Sequence, residues 1–169
     1  KMKKIILVFF ILNLFTINVK SEIAYIDINF VLNTSKVGKF LNNYIENIKN
    51  ENLEKYKIIE TELVKKEKLL IAQQNILDKD EFQKKLNTLT IEVKKYRSDK
   101  QISFDKLKKI KIDKTKEILK VLNPIITEYV DLNEISLVIP KKNIVVGKKN
   151  LDITDQIIIL LNKNIINLK

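Results

Sequence analysis

Two long apolar stripes with helical spacing fill most of this 169-residue chain and leave little room for other folds. Between residues 36 and 77 there is no Pro and only one Gly, so little in the backbone opposes a continuous helix. The apolar side chains of the first stripe recur at steps of mostly three and four residues, at Leu41, Ile45, Ile48, Tyr56, Ile59, Leu63, Leu70 and Leu77. The stripe predicts one helix of about 40 residues, or about 60 Å.

A second stripe begins after the polar break Asp78-Lys79-Asp80. Its members are Phe82, Leu86, Leu89, Val93, Tyr96, Phe104, Leu107, Ile118, Val121 and Ile125. Because an Asp in the break can cap a new helix, the pattern favours two helices folded back as an antiparallel hairpin. The alternative is one continuous helix of about 90 residues in a parallel coiled coil. Pro124 predicts a kink inside the second helix, which should end near residues 131–133.

Short runs rich in β-branched residues lie outside the two stripes. Residues 23–28, 135–139 and 144–146 each have the composition of a short strand, and turn residues separate the last two. A final helix is predicted from about residue 152 to 161 or 163, with Thr154 as its cap. The first strand precedes the stripes and the other two follow them, so the stripes form an insertion.

The predicted fold is mostly α with a small α+β body. A long antiparallel helical-hairpin arm, residues 36–129, is inserted into a small β-sheet body made of residues 22–35 and 130–169. Outside the arm the body has only about 50 residues, a size at which domains are marginally stable. We therefore expect the body to oligomerise through its sheet and its final helix. The residues predicted to carry this contact are Ile26, Val138, Val145, Ile157 and Leu160.

The first 21 residues have the layout of a secretory signal peptide. Lys1, Lys3 and Lys4 give a positive start, residues 5–14 are almost wholly apolar, and polar character returns by Asn18. The apolar run is short for a membrane span, and an uncleaved anchor is the alternative. We expect residues 1–21 to be removed and the protein to be exported.

The net charge of +11 is concentrated in the arm. Residues 1–21 hold four Lys and no acid, so their removal lowers the net charge to +7. Residues 36–129 carry 22 basic and 15 acidic side chains, and the rest of the mature chain is neutral. The candidate contacts for an acidic binding partner or an anionic membrane surface are Lys84, Lys85, Lys94, Lys95, Arg97, Lys100, Lys108 and Lys109. A solvated helix face is the alternative interpretation of these residues.

The composition excludes most catalytic chemistry. The chain has no His and no Cys, so it lacks a His base, a Cys nucleophile, a Cys/His zinc set and any disulfide. Gly38 and Gly147 are single glycines rather than a phosphate loop, and Asp27 and Asp155 are isolated carboxylates. The sequence predicts a protein that is not an enzyme and has no cofactor or metal.

Several segments resemble the Skp/OmpH family of periplasmic chaperones for outer-membrane proteins. The segments are Ile23-Ala24-Tyr25-Ile26-Asp27, Val31-Leu32-Asn33, Gly38-Lys39, Asn123-Pro124-Ile125-Ile126, Ile135-Ser136-Leu137-Val138-Ile139 and Leu151-Asp152-Ile153-Thr154-Asp155. They occur in the family's order and span essentially the whole mature chain. The resemblance implies a jellyfish-like homotrimer whose three arms enclose a cavity. It also implies ATP-independent binding of unfolded outer-membrane β-barrel proteins.

Two other classes of function fit the chain less well. A non-enzymatic envelope adaptor or structural coiled-coil protein would use the hairpin to dock a partner's hairpin. A basic nucleic-acid-binding protein is permitted by charge alone. Export and the absence of an Arg-rich or aromatic recognition motif argue against specific binding to nucleic acid.

Overall fold

The structure is a computed structural model and describes residues 22–164, so the predicted signal peptide lies outside it. The elements in chain order are β1 (Glu22–Ile26), α1 (Ile28–Thr34), α2 (Lys36–Ala72), α3 (Lys79–Leu132), β2 (Ile135–Pro140) and α4 (Thr154–Asn164). Two single-turn 3-10 helices, Lys141–Asn143 and Lys149–Leu151, lie between β2 and α4. The predicted fold class, mostly helical with a small sheet, is confirmed.

The arm is an antiparallel pair of helices, α2 and α3, as the two stripes predict. The Ser35 hydroxyl caps α2 by accepting the Gly38 N–H at 3.2 Å. The Asp78 carboxylate caps α3 by accepting the Glu81 N–H at 2.8 Å. These caps satisfy N–H groups that a helix start leaves unpaired, so each helix begins where its polar residue stands. Helix α3 continues through Pro124 and ends at Leu132, where the pattern placed its end.

The sheet has two parallel strands, and the whole arm is the connection between them. Ala24 of β1 lies opposite Val138 of β2, and Tyr25 lies opposite Ile139. On its other edge β1 meets the chain before α4, where the Ile153 N–H donates to the Tyr25 carbonyl at 3.0 Å. Strand β1 is therefore flanked on both sides, whereas β2 has one edge unpaired within residues 22–164.

The third strand predicted at residues 144–146 was wrong for the single chain. Residues 141–143 form a 3-10 turn, and no strand is assigned at 144–146. Val145 and Val146 are 99% and 88% exposed. A strand exists only where another strand pairs with its backbone, and none of the described residues does so here.

One hydrophobic core joins the body to the base of the arm. Its buried members are Ala24, Ile26, Val31, Val37, Leu41, Ile118, Leu122, Ile125, Ile153, Ile157 and Leu161. Val37, Leu41, Ile118 and Leu122 belong to the segment predicted as arm, so the core crosses the predicted boundary. The division of the chain at residues 36 and 129 stays a prediction.

A cluster of hydrogen bonds around Asp152 joins the two ends of the body. The Asp27 N–H donates to the Thr154 hydroxyl oxygen at 3.0 Å, and that hydroxyl donates in turn to Asp152. Asp152 also accepts the Thr154 N–H at 3.0 Å and an ion pair from Lys141 at 2.8 Å. The prediction of Thr154 as the cap of α4 was wrong, because Thr154 is the first residue of the helix and its own N–H is accepted by Asp152. Its hydroxyl instead accepts the Asp27 N–H.

This cluster of hydrogen bonds should make the stability of the body fall at acid pH. Burial acts to raise the pKa of Asp152, but the hydrogen bonds from Lys141 and Thr154 outweigh it and lower the pKa below the ordinary 3.8. A carboxylate with a depressed folded pKa stabilises the fold at neutral pH, and this contribution disappears as the pH falls through the folded value. Asp152→Asn should therefore cost about 1 kcal/mol at pH 7.

The measurement is urea unfolding of wild type and Asp152→Asn between pH 7 and pH 2. The two stability curves should converge as the pH falls below 3.8. Asp113→Asn, on an exposed part of the arm, is the matched control and should follow the wild type. A constant gap between wild type and Asp152→Asn would contradict the assignment.

Candidate functional site

The arm carries an apolar groove between α2 and α3 near its tip, which we call the distal groove. The apolar residues that line it are Leu63, Val64, Leu70, Ile71, Phe82, Leu86, Leu89 and Val93. The line along which α2 and α3 meet is called the seam. Val64 and Ile71 are 42% and 61% exposed, although both lie beside it. Soluble proteins seldom leave contiguous apolar surface uncovered without a binding role, so this groove is the leading candidate site.

Charges of both signs border the distal groove. Glu60 and Glu67 lie on the α2 side, while Lys94 and Arg97 lie on the α3 side. Glu60 accepts a hydrogen bond from Tyr96 at 2.9 Å. An apolar floor between an acidic and a basic rim suits an amphipathic segment that carries charges of either sign.

The predicted cationic residues do not share one face of the arm. Lys84 and Lys85 line a second groove on the other side of the seam, with Leu69 and Gln73. Lys85 pairs with Glu81 at 3.3 Å. Because each helical residue turns about 100°, a set spaced like these eight spreads around the whole helix.

The remaining predicted cations have separate surroundings. Lys95 lies beside a shallow pocket that Tyr56 also lines. Lys100 is half-buried, with its ammonium 2.9 Å from the Tyr96 hydroxyl and 3.7 Å from Glu60. The hydrogen bond to Tyr96, and then the charge of Glu60, raise the pKa of Lys100 above its ordinary value. Lys108 and Lys109 are exposed nearer the body.

Most of the apolar residues that line the distal groove were predicted as members of the two stripes, but the sequence prediction did not include Val64 and Ile71 and did not identify a groove. A weak signal was present, since Leu53, Val64 and Ile71 follow one another at steps of 11 and 7 residues along α2. Those steps return to nearly the same side of a helix. These three residues lie beside the seam. They can be identified as part of a groove wall only when α3 is packed against α2.

The residues predicted to form the oligomerisation body fall into three groups by burial. Ile26 and Ile157 are buried in the core of the chain itself. Val138 and Leu160 are partly buried against that core, and Val145 is exposed. A shallow apolar depression runs along α3 and α4 beside Leu160, lined by Ile125, Tyr129, Leu132, Gln156 and Ile159 among others.

Residues 22–164 contain neither a membrane-spanning helix nor a cluster that could hold a metal ion. No helix in this part of the chain has both the length and the apolar content needed to cross a bilayer. The same part of the chain holds no group of three acidic side chains arranged to hold a metal ion.

Known proteins resemble this arrangement in sequence and in fold. Residues 22–161 match the family described as outer membrane protein (OmpH-like). A crystal structure of an OmpH-like protein from Caulobacter crescentus CB15, provisionally described as an outer membrane chaperone, superposes with a TM-score of 0.79. The two chains are 17% identical, and the match covers 87% of each. No curated protein matches the chain.

The likeness to the Caulobacter structure shows the fold, long paired helices on a small two-stranded body. The family match spans most of the chain and confirms the resemblance predicted from its segments. The protein belongs to the OmpH-like family.

Proposed function

We propose that this protein is an ATP-independent periplasmic holdase that binds unfolded outer-membrane proteins and prevents their aggregation. Its membership of the OmpH-like family supports a chaperone role. The observation that carries the proposal is the distal groove, in which exposed Val64 and Ile71 lie between an acidic and a basic rim. Binding of this kind makes and breaks no covalent bond, and we assign the protein no enzymatic activity and no cofactor.

Clients are held by many weak contacts rather than by one strong site. Unfolded β-barrel strands alternate apolar and polar side chains, and such a segment can place its apolar side chains on the groove floor. Its charged side chains then meet Glu67 on one rim or Lys94 and Arg97 on the other. The net positive charge of the arm speeds capture of acidic clients and favours approach to an anionic membrane surface.

We further propose that the working form is a homotrimer whose three arms surround the client. Support comes from the unpaired edge of β2 and from the exposed β-branched pair Val145 and Val146. A second copy could use such surfaces to add strands and to cover apolar area that one chain leaves in water. Three grooves around one cavity raise the effective concentration of contacts and therefore the avidity for a long unfolded chain.

The first test mixes the mature protein with a urea-unfolded outer-membrane β-barrel protein and records the mass by light scattering. A discrete complex of a trimer with soluble client is the expected result. A stable oligomer that leaves the client to aggregate would overturn the holdase proposal and favour the envelope adaptor. A monomer that keeps the client soluble would overturn the trimer alone.

A groove variant tests where the client binds. Val64→Gln combined with Ile71→Gln should weaken client binding by roughly tenfold to a hundredfold, because two apolar contacts with the client are lost. The matched control is Ile91→Gln combined with Ile102→Gln. Those residues are 66% and 61% exposed and lie on the side of α3 away from the seam. Equal affinities for the two variants would show that the groove is not the client site.

A further inference from the structure

Halfway along the arm, a cluster of directional contacts joins α2 to α3, and we call it the tyrosine node. Tyr56 is only 4% exposed, and its hydroxyl donates to the main-chain carbonyl of Asp99 at 2.8 Å. The rings of Tyr56 and Tyr96 meet edge to face with centroids 6.1 Å apart. The Tyr96 hydroxyl donates to Glu60 and accepts from Lys100, both at 2.9 Å. These contacts lie within about two helical turns of one another.

The seam on either side of the node is loosely packed. Toward the tip, the structure describes all of residues 57–95, and Leu70 is the only one of them with a buried apolar side chain. Toward the body, Leu107 is the buried apolar side chain in the stretch between the node and the hydrophobic core. The cross-arm ion pair of Lys66 with Glu92, at 2.7 Å, is exposed and stabilises the seam little.

The two loose segments differ in how they are held. The segment nearer the body lies between the node and the hydrophobic core, so both of its ends are fixed. The segment nearer the tip, residues 57–95, is fixed only at the node and ends in the turn at residues 73–78. Separating its helices breaks the buried contact of Leu70 and several partly buried contacts, such as those of Leu63 and Leu89. Separating the other segment also requires the node or the core to break.

We propose that the tyrosine node is a fixed boundary within the arm, beyond which residues 57–95 open and close as one unit. The distal groove lies in this unit, since Val64, Ile71 and Leu86 are on its walls, while Glu60 and Tyr96 close its end at the node. Opening therefore widens the groove from the tip, and the paired helices below the node keep their register. This inference concerns the arm alone and does not depend on the proposed function.

Hydrogen exchange of the full mature chain without a client tests the boundary. Helices of about 16 residues are marginally stable when separated, so opening exposes their amides to exchange. Amides in residues 61–72 and 82–95 should exchange at least tenfold faster than those in residues 42–55 and 100–117. This margin reflects the hydrogen bond of Tyr56 to Asp99, which must break before the segment nearer the body can open. Equal rates in the two segments would overturn the proposal.

Tyr56→Phe tests the node itself, because it keeps the ring and removes the hydroxyl that binds Asp99. The boundary should move toward the body, and exchange in residues 42–55 and 100–117 should rise about tenfold. Tyr44→Phe is the matched control, since Tyr44 is half-exposed and makes no hydrogen bond with the described residues. A rise in exchange confined to the helical turn around Asp99 would overturn the proposal, because the node would then be an ordinary contact of the seam.

A crosslink closes the unit by design. The chain contains no Cys, so Lys66→Cys with Glu92→Cys gives a unique pair across the seam. Joining the pair with a short thiol crosslinker should slow exchange in residues 61–72 and 82–95 at least tenfold. The uncrosslinked double variant serves as its own reference. Unchanged exchange after crosslinking would show that the helices of this unit do not separate.

Discussion

Gly38→Ala is expected to destabilise the protein by about 3 kcal/mol or more, although Gly→Ala within a helix usually stabilises by about 1 kcal/mol. A Cβ at Gly38 would lie 1.7 Å from the carbonyl oxygen of Leu32 and 2.6 Å from its carbon. Both atoms are backbone, so no side-chain rotation relieves the overlap. The end of α1 would have to move away from α2, which would disturb Val31 and Ser35, both fully buried.

Urea unfolding followed by circular dichroism measures this effect. Lys39→Ala is the matched control, because Lys39 is the next residue of the same helix and is exposed. It should change the free energy of unfolding by less than about 0.5 kcal/mol. If Gly38→Ala proves as stable as Lys39→Ala, α1 does not pack against α2 in the way described.

The hairpin could be predicted from the sequence because its signals are local. The stripe, the lack of Pro and the capping residues Ser35 and Asp78 all act within a few residues of where they stand. The end of α2 was less accurate, since the stripe extends to Leu77 and the helix stops at Ala72. A reversal of direction requires several turn residues, and periodicity alone does not show how many.

The strand predicted at residues 144–146 failed for a different reason. Ile144, Val145 and Val146 have the composition of a strand, but a strand also needs a partner backbone. Composition records the local preference and says nothing about whether the same chain supplies the partner. The chain instead places β1 between β2 and the segment at Asp152.

The candidate site could be predicted only in part. The excess of Lys on α3 was visible in the sequence, but its distribution between two grooves depends on the register of α2 against α3. That register appears in pairs far apart in sequence, such as Lys66 with Glu92 and Tyr56 with Asp99. No local pattern encodes these pairs. The distal groove is therefore a property of the assembled hairpin.

Leu122→Ala is expected to cost about 3 kcal/mol, within the range for removing a buried Leu side chain. Leu122 is 0% exposed and belongs to the core that joins the base of α2 and α3 to α4. The surrounding side chains come from several elements, so they cannot all move in to fill the space. The loss should appear as a lower urea midpoint of the whole chain.

Val121→Ala is the matched control, one residue earlier in the same helix and 39% exposed. It also shortens an apolar side chain to Ala, and because Ala favours the helix more than the β-branched Val does, it should cost less than about 1 kcal/mol. A difference between the two variants then reports burial in the core. Because that core contains residues of both arm and body, Leu122→Ala should still unfold in one transition. Two separate transitions would mean that the arm and the body fold independently, and that the core does not couple them.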